Sequence, residues 1–116
     1  MEGGQIGVWP NQPPNKRQLM ELIRRLVDSG APIGINAATE EFLVANDLDM
    51  SDVLRGFRGG SIIGAITHGV SENEWRCTIA APLSRFPKKK REIWIGSVVV
   101  EAASLIVGRV QWAGKT

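Results

Sequence analysis

The chain of 116 residues contains no tyrosine, one cysteine (Cys77) and one histidine (His68). A lone cysteine excludes an intrachain disulfide framework. One Cys with one His also cannot complete a four-ligand structural zinc site, so no metal is expected. No apolar run reaches the roughly 18 to 20 residues of a membrane span, and no membrane partner is expected. The opening Met1-Glu2-Gly3-Gly4 has neither the basic start nor the apolar centre of a secretory leader. The expectation is a soluble, cytoplasmic protein. The length suits one domain and is too short for a dinucleotide-binding dehydrogenase. Gly56-Phe57-Arg58-Gly59-Gly60 lacks the Lys–Ser/Thr of a phosphate loop and precedes a strand pattern. It reads as a helix stop, and no cofactor is expected.

Charge is present but unevenly placed. The net charge is +2. Residues 1–58 carry eight acids and six bases, and residues 59–116 four acids and eight bases, which is −2 against +4. Five of the bases of the second half fall in Arg85-Phe86-Pro87-Lys88-Lys89-Lys90-Arg91. Such a field favours an anionic partner, RNA or an acidic protein.

Residues 1–15, rich in Gly, Pro and Asn, read as an irregular N-terminal arm, with Trp9 docking on the body or on a second copy. Residues 16–116 read as one domain. Leu19, Leu22, Ile23, Leu26 and Val27 recur at helical spacing and predict an amphipathic helix over 16–29, capped by Asn15 and ended by Gly30. Glu21 and Arg25 stand one turn apart on its outer face. Ala31 to Ile35 is a short extended segment. A second helix is expected over 37–46, with Ala38, Phe42 and either Ala45 or Leu43 turned inward. A third, short helix is capped by Asp49 or Ser51 and ends at Gly59-Gly60.

From Ser61 the period becomes two. Strands are expected over 61–68, 74–81, 91–101 and 105–112, with a basic loop over 82–90. Helices first and strands second predict an α+β fold, with N-terminal helices packed on a four-stranded antiparallel β-meander.

His68 ends the first of these strands and is the candidate for proton transfer, because histidine titrates near neutrality without help. Cys77 alternates onto the Trp75/Ile79 face and reads as core. Arg76 and Thr78 fall on the opposite face. If that face is open, Arg76 can join Arg85, Lys88, Lys89, Lys90 and Arg91 in one anionic site, with Phe86 available for stacking. The alternative is a solvated face with Arg76 paired to Glu74 or Glu92. Trp75, Trp94 and Trp112 fall on three different strands, either packing the core or an interface or offering a stacking surface.

Four segments carry a resemblance. The first helix LMELIRRLVDSG, the short capped helix and strand LDMSDVLRGFRGGSII, the strand EWRCTI, and the tightly joined REIWIGSVVVEAASLIVGRV together resemble the MqsR-like group within the RelE-type toxin fold, and an allied family of short bacterial proteins. The resemblance implies a curved antiparallel sheet, metal-independent cleavage of messenger RNA, and a cognate antitoxin as protein partner. It carries over to Arg76, to the basic loop and, at the last strand, to Gln111, as groups that hold the phosphate or move protons in attack by the 2′-hydroxyl; His68 fills the proton-transfer role. The chain departs from the pattern at Asn36 to Glu41, where the allied family carries a His and an Arg, and in having no Tyr. The departures set a second reading beside the nuclease: a non-catalytic interaction protein, a regulator or inhibitor, that binds a protein or nucleic acid through its basic loop, as a monomer or a homodimer.

Overall fold

A computed structural model describes residues 14–69, 74–83, 91–100 and 103–114. Three helices precede the main strands: α1 (Lys16–Asp28), α2 (Ala37–Ala45) and α3 (Met50–Gly59). The strands are β1 (Ile33–Ile35), β2 (Ser61–His68), β3 (Trp75–Leu83), β4 (Arg91–Val100), β5 (Leu105–Val107) and β6 (Arg109–Trp112). The fold is α+β, and β2, β3, β4 and β6 form the expected antiparallel sheet.

The helix ends follow from their caps. Asn15 Oδ1 accepts from the Gln18 backbone N–H at 2.8 Å, and Gln18 Oε1 accepts from the Asn15 N–H at 2.9 Å. This reciprocal pair satisfies two donors that a helix start otherwise leaves orphaned. Gly30 takes φ +79° just past α1, a conformation that costs a glycine little. Asp49 and Asp52 repeat the reciprocal cap at α3. The apolar stripe of α1 is buried as its spacing predicts, with Met20 added. Glu21 pairs at 3.6 Å with Arg17, one turn on its N-terminal side, and not with the expected Arg25 one turn on its C-terminal side.

Helices α1 and α3 are tied end to end. Arg24 Nε donates to the Arg58 carbonyl at 2.8 Å, and Arg58 Nε lies 3.4 Å from Asp28. A guanidinium at carbonyls that have no helical partner suits the negative end of α3. Gly56 lies inside α3 and is not part of its stop. A Cβ there would stand 2.7 Å from both Ala81 Cβ and Ile95 Cδ1, so its lack of a side chain lets α3 press onto the sheet.

Two expectations are corrected in detail. The segment expected as one strand over 105–112 is broken at Gly108, although both pieces keep a single register against β4: Val100 opposite Leu105, Ile93 opposite Trp112. The short β1 joins the sheet parallel to β5. It was legible only as extended, since three residues cannot display a period. In α2, Leu43 and the half-buried Phe42 turn inward as expected and Thr39 joins them, whereas Ala38 and Ala45 are exposed. Asn36 decides this rotation. Its Oδ1 caps α2 through the Thr39 N–H at 2.7 Å, while its Nδ2 donates to the Gly108 carbonyl at 3.0 Å. The strand break and the helix start hold each other.

All three helices lie on one side of the sheet. Trp75, Cys77, Ile79, Ile93, Ile95 and Val98 face them and are buried. Side chains alternate along a strand, so Arg76, Thr78, Trp94, Arg109 and Gln111 belong to the other side, which none of the described elements covers.

Candidate functional site

The sheet register separates the two catalytic candidates. His68 pairs directly with Trp75, and Thr67 with Arg76. Directly opposed residues share a face, and neighbours along a strand do not. His68 therefore lies on the helix side, where its ring meets the Trp75 indole edge-on at 4.6 Å between centroids, and its Nδ1 lies 3.1 Å from the Gly69 carbonyl oxygen. Arg76 stands exposed on the opposite side. The two do not converge. Among the described residues Arg76 makes no ion pair: Glu92, one of its expected partners, accepts a hydrogen bond from Trp94 Nε1 at 3.0 Å instead.

Of the basic cluster, Arg85, Lys88, Lys89 and Lys90 lie outside the described residues, as do Phe86 and the Trp9 arm. Arg91 is described. It pairs with Leu83 and faces the helices. Its guanidinium carbon lies 4.0 Å from the Trp112 ring centroid, a cation–π stack. Trp112 in turn donates from Nε1 to Asn46 Oδ1 at 2.9 Å and packs on Phe42. Arg91 thus anchors the start of β4 to the end of α2.

The three tryptophans divide by face. Trp75 is buried in the core, with its Nε1 unpartnered, and Trp112 caps the inner edge. Trp94 alone is on the open face. There it stands directly opposite Gln111, and Gly96 stands opposite Arg109. With Thr78 from β3 these residues line a shallow depression of 180 Å³. Arg109 Nη2 donates to Gln111 Oε1. The Trp94 ring is pinned at its nitrogen by Glu92. Arg76 lies two residues from Thr78 on the same strand face, about 7 Å along β3.

The face thus presents two exposed arginines, an indole held at its nitrogen by the Glu92 carboxylate, an amide and a hydroxyl, a mixture suited to phosphates and to flat, polar-edged rings. Arg76 and Gln111 were singled out in the sequence, and both fall here. Trp94, Arg109 and Gly96 were not assigned to this surface. Their signal was present in the alternation of Ile93-Trp94-Ile95 and Arg109-Val110-Gln111-Trp112, which places the apolar members inward and Trp94, Arg109 and Gln111 outward. That β4 and β6 set these residues beside one another needed the pairing.

The cysteine carries no chemistry. Cys77 is buried, and burial pushes its thiol up to about 12, away from the thiolate that a nucleophile needs. Among the described residues no three His, Cys, Asp or Glu side chains are grouped to hold a metal ion, and no helix is long and apolar enough to cross a membrane.

In comparison with known proteins, the chain has no matching family model and no significant match among curated proteins or solved structures. The resemblance to the MqsR-like group rests on the sequence pattern alone.

Proposed function

We propose that this chain is a cytoplasmic RNA-binding protein that holds single-stranded RNA on the open face of its sheet without cutting it. The observation that carries this reading is the Trp94–Gly96–Arg109–Gln111 depression with Arg76 beside it, on a face that no described element covers. Exposed guanidinium groups that make no ion pair among the described residues are suited to phosphates, and an indole on a sheet surface is suited to unstacked bases. The excess of base over acid in residues 59–116 adds long-range attraction for the same ligand. The toxin-like sequence pattern favours the same ligand class and supplies its own candidates, Arg76 and Gln111, on this face.

Binding is favoured over cleavage by the separation of His68 from Arg76. Metal-independent cleavage needs a proton acceptor and a phosphate-holding cation around one reacting atom. Here the sheet stands between them.

The test is fluorescence anisotropy of a labelled single-stranded RNA across a salt series, with the wild-type chain and the Arg76→Ala and Arg109→Ala variants, followed by gel analysis of the RNA. The expected result is salt-sensitive binding and intact RNA. Arg76→Ala should lower the slope of log K against log salt by about 0.7, one phosphate contact on a single strand, and Arg109→Ala should weaken binding at every salt concentration. Absence of binding at low salt would sink the reading and leave a protein partner as the ligand to seek. Cleavage that is lost on His68→Ala would restore the nuclease.

A further inference from the structure

We infer that the depression on the open face is a pocket for one unpaired base and that it selects guanine. The inference rests on the RNA-binding reading and names which part of the RNA the face distinguishes. Size comes first. At 180 Å³ the space is below the roughly 300 Å³ at which pockets for drug-sized ligands begin. It suits a single ring system, and a duplex end would not enter it.

The walls supply a stacking platform and a polar edge. Trp94 is held at Nε1 by Glu92, which fixes the plane of the indole. Gly96 forms the floor. A Cβ there would meet Arg109 Cγ at 3.1 Å and Cδ at 3.6 Å, so the bare glycine lets the arginine stem lie flat across the strand. The guanidinium is then steadied by its own donation to Gln111 Oε1. No carboxylate among the described residues neutralises it.

Arg109 can only donate, and an arginine fork matches two acceptors side by side. Guanine offers O6 and N7 in that arrangement. Adenine replaces O6 with an amino donor, and uracil sets N3–H between its two carbonyls. Cytosine does offer O2 and N3 side by side, so the fork admits guanine and cytosine, and the stacking surface must choose between them. Purines offer the larger face to Trp94. The donor set and the platform together therefore favour guanine.

The experiment uses four labelled nine-residue RNAs, all uridine except for guanine, adenine, cytosine or uracil at the centre, titrated against the full chain. The guanine strand should bind about tenfold more tightly than the adenine strand, a difference within the range of one bidentate base contact. Arg109→Lys keeps the charge and removes the fork. It should keep salt-dependent binding and lose the preference for guanine, with an unchanged circular dichroism spectrum. Equal affinity for all four strands, with binding still weakened by Arg76→Ala, would overturn base selection and leave the RNA-binding reading in place. A preference that survives in folded Arg109→Lys would overturn the assignment of the pocket. No binding by any strand would remove both.

Discussion

Cys77 lies between Trp75 and Ile79 on the helix side of β3, and its thiol is held in the protonated form far above neutrality. It should resist a water-soluble disulfide reagent at pH 8 in the native protein and react at once in denaturant. Absorbance of the released thiol reads both. The same burial has a consequence for stability. An unfolded thiol ionises near its ordinary value of 9.0, whereas burial pushes the folded one up to about 12, so the unfolded chain loses its proton first. Stability is therefore undiminished by this group below about pH 9 and falls as pH rises from there toward 12. Urea midpoints at pH 8 and pH 10.5, with Cys77→Ala losing the group's share of the difference, measure it. The inward direction of Cys77 was legible from alternation alone. The size of its shift was not, since it depends on how completely the helices close over β3.

Caps and close approaches decide the elements. Asp49 accepts from the Ser51 N–H, and Asp52, buried beneath it, accepts from the Asp49 N–H. Asp49→Ala should cost about 1 kcal/mol, the usual worth of such a cap, seen as a lower urea midpoint with an unchanged m value. Gly56 presents the opposite case. On propensity alone Gly56→Ala would stabilise α3 by about 1 kcal/mol. The added methyl would instead press on Ala81 Cβ and Ile95 Cδ1, and overpacking of that kind costs about 1–3 kcal/mol. The expected outcome is net destabilisation, and a rise in the thermal midpoint would show that α3 can lift off the sheet. The capping residues were readable because their partners lie within three positions in sequence. The role of Gly56 was not, because Ala81 and Ile95 reach it only through the fold.

For the whole molecule, the sheet acts as a partition. Its inner side is closed by α1, α2 and α3, and its outer side holds Arg76, Arg109, Trp94 and Gln111. His68→Gln should therefore leave RNA affinity unchanged within twofold or so, in contrast to Arg76→Ala, because no phosphate held on the outer side reaches the inner edge. A matching loss in both variants, measured by the same anisotropy titration, would place the ligand around the strand end instead.

The sequence by itself determined the three helices, the four main strands, the burial of Cys77 and the placing of Arg76 on the opposite face of its strand, since each follows from a local period or a cap within a few residues. Tertiary structure alone decided that His68 and Arg76 stand on opposite faces, that Arg91 turns inward onto Trp112, and that Trp94, Gly96, Arg109 and Gln111 meet. Those outcomes depend on strand register, which is set by bulges, by the break at Gly108 and by the packing of helices far away in sequence. A shift of one residue in any pairing would have exchanged the faces.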